Sequence, residues 1–261
     1  EAGVALRFDA PWEGRYCGYV TVFQDPEKFR MYYRGLPEPN KDGSDTEVTC
    51  YAESVDGITW TKPFLGLHEV NGTRENNVIL AGTAPYSHNF APFYDAREGV
   101  PPEQRYKALA GTSETGLAAF VSPDGLNWHM LQKSVITEGA FDSQNVAFWS
   151  EAEGKYVCYF RTWSEGPFAG YRWISRAVSE DFVTWSAPVE MGNGGAPLEH
   201  IYINQTSPYF RAPHIYVALA ARFMPGRTVV SDAEAAALGI QGGYGKDCSD
   251  GVLMTSRGGA S

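Results

Sequence analysis

The chain lacks several features that would settle its function at sight. It has no excess of basic residues: Lys and Arg number 21 against 31 Asp and Glu, for a net charge of −10. A nucleic-acid polyanion is held by clustered Lys and Arg, so that class of partner is excluded. No apolar run approaches the roughly 18 residues that cross a bilayer, and no membrane partner is expected. Cys17, Cys50, Cys158 and Cys248 form no CxxC pair, which removes zinc and thioredoxin-type sites. Buried free thiols are expected, with a Cys17–Cys50 disulfide open if the two lie on neighbouring strands. There is no phosphate-binding glycine loop, no GxSxG elbow and no HExxH helix. No basic-then-apolar leader precedes Glu1, so a secreted or periplasmic location depends on a leader having been removed. The oligomeric state stays open.

What the chain does have is a repeat. SVDGITW (Ser54 to Trp60) returns as SPDGLNW (Ser122 to Trp128) and SEDFVTW (Ser179 to Trp185), with the aspartate and tryptophan at the same offsets from the serine. Apolar strand-like runs precede each copy (TCYAES, LAAFVS, ISRAVS), and a second strand or its remnant follows (KPFLGL, HML, SAPVEM). Asp-Gly tolerates positive φ in a tight hairpin turn, so two copies have the chemistry for one; Phe182 replaces the glycine in the third, whose turn is expected to differ. Upstream of each hairpin lies another strand–turn–strand pair carrying tyrosine.

Four strands recurring every 55 to 70 residues predict an all-β fold, a single β-propeller domain over 1–261 built from four-stranded antiparallel blades, with each motif tryptophan wedged between blades. Blade one covers about 12–66, blade two about 77–131, blade three about 135–191 and blade four about 198–261. Aligning Ser256 with the motif serine puts Gly258 at the aspartate position and the next tryptophan just past Ser261, so the last blade is expected to be incomplete in this chain. SDAEAAALG is the one helical signal, with Ser231 or Asp232 as N-cap and Gly239 as terminator.

In a propeller the innermost strand of each blade lines a central channel, and ligands bind at one of its mouths. Polar residues at the starts of those strands are therefore the site candidates: Trp12 and Glu13 (with Asp9 as second choice), His88 and Asn89, Asp142, Gln144 and Asn145, then Glu199, His200, Tyr202 and Asn204. Strand alternation separates Asp142 and Gln144 from Asn145. Glycosidic cleavage needs one protonated and one ionised carboxyl, with amides, imidazole and phenol to bind hydroxyls and indole to stack on a sugar face.

The hairpins YAESVDGITWTKP, AFVSPDGLNWHML and AVSEDFVTWSAP, together with RYKALAG, FDSQNVAFW and SDGVLMTSR, resemble the five-bladed β-propeller glycoside hydrolases of families 32, 43 and 68 and their bacterial relatives. The motif is also similar to the Asp-box of sialidases, with one residue fewer between aspartate and glycine. That resemblance implies five blades and three acids at the channel mouth. Asp142 then looks like the transition-state-stabilising aspartate, Glu199 like the general acid and Glu13 like the blade-one acid, although no WMNDPNG-type segment is present. The implied activity is a glycosidase acting on an oligo- or polysaccharide, with no cofactor beyond a calcium ion at the channel centre beside His88. The alternatives are a non-catalytic sugar-binding propeller and a glycoside phosphorylase using Arg211 or Arg222 to hold phosphate.

Overall fold

In a computed structural model that describes residues 3–240 and 244–259, four antiparallel sheets succeed one another along the chain. The first holds β1 (Gly18–Gln24), β2 (Phe29–Gly35), β3 (Val48–Ser54) and β4 (Val78–Leu80). The second holds β5 (Ala91–Tyr94), β6 (Tyr106–Thr112), β7 (Gly116–Ser122) and β8 (His129–Ile136). The third holds β9 (Val146–Ser150), β10 (Lys155–Trp163), β11 (Arg172–Ser179) and β12 (Val189–Glu190). In the fourth, β13 (His200–Ile203) and β14 (Thr206–Tyr209) both pair with β15 (Ala212–Met224), as two halves of a strand interrupted at Asn204 and Gln205, and β16 (Cys248–Ser256) covers the other edge of β15. The all-β propeller is as expected, but the described residues form four blades and not five.

The middle strands of the first three sheets are buried on both faces, between neighbouring sheets or, for the first, under the N-terminal segment with Leu6 and Trp12, whereas β15 and β16 of the fourth leave one face to solvent, with Leu219 and Leu253 exposed. Tyr32 and Tyr51 of the first sheet meet Phe90, Ala108 and Phe120 of the second; Phe93 and Leu109 meet Phe141, Tyr156 and Phe160; Phe148 and Tyr159 meet Ile201 and Tyr216. Each large apolar side chain among them contributes about 1.5–3 kcal/mol by leaving water. Cys17 and Cys50 share a cluster but are free thiols, since β2 lies between the segment holding Cys17 and β3. The outer strand expected at KPFLGL does not form: Pro63 has no N–H for a ladder, and the chain loops on until Val78–Leu80 pairs with β3, beyond the expected blade-one limit at 66.

The motif is a side-chain-closed loop. Ser54 Oγ accepts from Gly57 N at 2.9 Å, Asp56 Oδ1 accepts from the backbone N–H of Ile58 and Thr59 at 2.8 and 2.7 Å, and Trp60 Nε1 donates back to Gly57 O at 3.2 Å. The copies at Ser122 and Ser179 repeat these bonds. The expectation of a different third turn is corrected: Phe182 takes φ 70°, matching Gly57 (73°) and Gly125 (74°). A left-handed residue with a Cβ costs about 1–2 kcal/mol. Full burial of the Phe182 ring against Phe93, Tyr156 and Trp185 outweighs that cost.

Opposite the motif serine of the second and third copies stands a tyrosine of the preceding strand, Tyr106 facing Ser122 and Tyr156 facing Ser179, where the first copy has Phe29 facing Ser54; Tyr216 faces Ser256 in the same register. Each tyrosine ties its blade to the one before by donating to an acid in a lower turn: Tyr106 to Asp25 at 2.7 Å, Tyr156 to Asp95 at 2.5 Å and Tyr216 to Glu153 at 2.7 Å. Asp25 also pairs with Arg30, Asp95 with Lys107 and Arg97, and Glu153 with Arg176. Burial pushes the Asp25 carboxyl up, but the bonds from Tyr106 and Arg30 outweigh it and hold it at about 2.

The helix forms as expected over Asp232–Ala237 (α1), capped by Ser231 with Glu234 completing a capping box; Gln241, Gly242 and Gly243 of the same insertion lie outside the described residues. No helix among the described residues is long and apolar enough to cross a membrane.

Candidate functional site

Antiparallel order puts the start of each inner strand and the loop between the second and third strands at one end of the molecule, here called the upper mouth. The motif loops and the tyrosine–acid ties sit at the other. Inner strands β1, β5, β9 and β14 line a central cavity of about 630 Å³. Near its upper end Gln144 Nε2 donates to Tyr19 O, Val20 O and Thr21 Oγ1, while Gln205 Nε2 donates to Val20 O and to Gln144 Oε1. Gln144, expected to bind substrate, is therefore a fully buried brace whose hydrogen-bonding capacity is spent on the scaffold.

Above the brace the backbone is strained. Tyr19, Asn89 and Phe141, at or just before three inner strands, have φ of 51°, 52° and 53°. Such conformations cluster where structure is held for function. Arg34 lies 4.5 Å from the Tyr19 ring centroid and pairs with Asp42 at 2.6 Å. Arg161, buried in mid-β10, reaches Asp142 at 2.6 Å, donates to Tyr202 O and stacks 4.2 Å from the Tyr202 ring centroid. Burial pushes the Tyr19 hydroxyl up, and Tyr202, Arg34, Arg161 and Asp142 all act on it, so these groups form one cluster. The Asp142 side chain keeps 43% exposure despite its arginine.

His88 and Asn89 enter from the second blade. His88 Nδ1 lies 3.0 Å from Glu47 Oε2, and Asn89 Nδ2 lies 2.9 Å from His88 Nε2, which fixes the imidazole from both sides. Asn89 Oδ1 and both terminal atoms of Asn145 are buried without a hydrogen-bond partner. Asp42, Glu47 and His88 present ligand atoms within 4.8 Å of one another. Arg34 pairs with Asp42, while His88 and the Gly43 N–H engage Glu47, so the ligand atoms already have partners within the protein and fit a resident calcium poorly.

Other expected residues lie elsewhere. Glu13 is fully buried, accepting from Tyr33 Oη at 2.6 Å, from Ala10 N and from Lys62, which also holds Asp9; Trp12 Nε1 donates to Asn77 in the same network. Neither shares a partner with Asp142. Glu199 and His200 open β13, which rises beyond the mouth with the upper parts of β10 and β15. There Arg222 clasps both Glu199 and Asp250, and His200 Nδ1 accepts from Arg172 N. Burial and the Arg172 charge lower the His200 pKa. Asn204 is buried and accepts from Thr206. Sequence reasoning missed Asp42, Glu47, Arg161 and Arg172. The available signal was position: the first two lie in the long Asp/Gly-rich β2–β3 loop, and the arginines lie near the β10–β11 loop at the same end.

No family model and no curated protein sequence matches the chain. Solved structures do. One is an N-acetylgalactosamine deacetylase from F. plautii in complex with blood group B trisaccharide, with TM-score 0.57 and 14% identity over 92% of this chain and 72% of that one. Another is the family 93 α-L-arabinofuranosidase of Fusarium graminearum with arabinobiose, with TM-score 0.55 and 11% identity over 96% of this chain and 66% of that one. At such identities the likeness establishes the propeller fold.

Proposed function

We propose that the chain is a carbohydrate-active enzyme of the glycosidase type, with its substrate seated in the upper mouth. The observation that carries this reading is the Asp142 carboxylate, half exposed among Tyr19, Arg161 and Tyr202. At the same end, just before β5 and β9, amide atoms of Asn89 and Asn145 are buried without a protein partner, and amides suit sugar hydroxyls. Asp142 would carry the ionised role, aimed by Arg161, and Glu199 on the projecting strand would supply the proton to the leaving oxygen. Asp42 is a better blade-one carboxylate than Glu13, because its side chain is 51% exposed and joins the mouth through Arg34 and Tyr19. That the two propellers above were crystallised with oligosaccharide ligands supports a glycan substrate.

Asp142→Asn should reduce turnover on a panel of aryl glycosides and polysaccharides by about 10³-fold or more, measured well below a melting temperature that itself falls because Arg161 loses its carboxylate partner. Full turnover in that variant overturns the assignment. The clasping of Asp142 and Glu199 by arginines favours the binding-only alternative, which predicts saturable glycan binding and no product from the unaltered protein. The phosphorylase alternative is weakened: Arg222 is held between two acids, and Arg211 stacks on Phe210 in a turn at the lower end.

A further inference from the structure

The upper parts of β10, β11 and β13 form a wall beside the mouth, and its centre is Arg172. The guanidinium carbon lies 4.7 Å from the Trp163 ring centroid, 5.2 Å from that of Tyr202 and 5.1 Å from that of Phe223. Five other arginines stacked on aromatic rings have their charge answered by a carboxylate: Arg30 by Asp25, Arg34 by Asp42, Arg97 by Asp95, Arg161 by Asp142 and Arg176 by Glu153; Arg211, on Phe210 in a turn at the lower end, is far from the mouth and lies on one ring only. Among the described residues Arg172 has no such partner, and its Nε is buried without any acceptor. An aromatic cage stabilises a cation but accepts few of its five N–H bonds, so the fork remains open to an oxyanion. The neighbouring imidazole does not fill that role, because His200 accepts from the backbone N–H of Arg172.

The wall is continuous with the proposed site. Arg161 and Arg172 stack on the same Tyr202 ring, at 4.2 and 5.2 Å, so the two guanidinium carbons are no further apart than those distances together. That bound is within the length of a disaccharide. Phe168, 73% exposed and next to Trp163, offers an apolar face over which a sugar ring could lie.

We propose that Arg172 is the anion-reading residue of the site, and that the glycan it accepts carries an oxyanion, a carboxylate or a sulfate, on the sugar beside the cleaved bond. This deepens the glycosidase reading and takes the upper mouth from it. A guanidinium fork takes two oxygens of either group side by side.

The test is binding to the intact protein by calorimetry at low salt, using the methyl glycosides of glucose, galactose and mannose, each compared with its uronate and its 6-sulfate. For at least one sugar the anionic form should bind at least about tenfold more tightly than the neutral form, and Arg172→Gln should erase that preference, read as the ratio of anionic to neutral affinity within the variant. Preference for the uronate or for the sulfate identifies the group. Equal affinity for charged and neutral forms, or a preference that survives in Arg172→Gln, overturns the proposal. Should Arg172→Gln fail to fold, Arg172→Lys serves: it keeps the charge, loses the fork and should lower the preference several-fold. The readout needs no turnover, so an inactive protein that prefers uronates would sink the glycosidase reading alone, and an active one indifferent to charge would sink this one alone.

Discussion

The two ends of the propeller treat polar groups in opposite ways. At the lower end every motif serine, aspartate and tryptophan has its partner, and Asp25, Asp95 and Glu153 each accept from a tyrosine of the next blade. The arrangement recurs with little variation. At the upper end nothing recurs: a glutamine pair braces one side, a histidine–glutamate pair stands on another, and buried amide atoms of Asn89 and Asn145 go unanswered. Buried polar groups cost free energy unless paired, so the lower end is what a structure needs and the upper end is what a structure tolerates for another purpose. Substitutions should therefore divide: lower-end changes should alter stability and spare activity, and upper-end changes should do the reverse.

The sharpest challenge to that division is Phe182→Gly. It restores the residue type that the other two motif turns use and removes the left-handed strain, so a purely local view expects stabilisation. Losing a fully buried ring costs about 3–5 kcal/mol, against about 1–2 kcal/mol of strain relieved, so the net loss should be about 1–4 kcal/mol by denaturant unfolding with catalysis intact. A stabilised variant would show that the turn outranks the packing. Next comes Tyr156→Phe, which strips Asp95 of its 2.5 Å bond and should cost about 1.5–3 kcal/mol. If turnover fell as steeply as stability, the lower end would not be purely structural.

Much of this division could be read from the residues alone, for a physical reason. Ser54, Asp56 and Trp60 act on backbone within a few residues, so their chemistry is written locally, and the same holds for the capping box at Ser231. The alignment of Ser256 followed from that register. Phe182 was misjudged because its conformation is set by Phe93 and Tyr156 from other strands. Glu13 looked like a mouth acid until Lys62 and Tyr33, distant in sequence, took its oxygens. Asp42 and Arg172 were passed over because neither belongs to a repeat; where each blade differs from the others, periodicity carries no information.

Acid titration tests the lower end as a whole. Asp25 is held at about 2 by Tyr106 and Arg30, and the hydrogen bonds of their own loops hold Asp56 and Asp181 at about 2 as well. A carboxyl whose pKa is lower folded than unfolded contributes stability above its unfolded value, near 3.8, and loses it as pH falls toward the folded value. Stability should therefore drop between about pH 4 and pH 2, with Asp25 supplying about 1–2 kcal/mol of the fall. Asp25→Asn should flatten that part of the profile; an unchanged profile would remove the tie from the account of acid unfolding.

The smallest expected effect on stability belongs to Asn145→Ala. Asn145 is fully buried, and neither its Nδ2 nor its Oδ1 has a partner in the protein, so truncation removes two groups that bring only desolvation cost. Lost packing and relieved desolvation should nearly cancel, keeping the change within about 1 kcal/mol, or about 2–4 °C in Tm. Glycan affinity should fall as well if the substrate reaches this amide, which is buried just before β9 beside the cavity-lining Gln144 and Val146. A loss of several kcal/mol would mean that Asn145 supports the fold as Gln144 does, and the contrast between the ends would then have to be redrawn at the level of the brace.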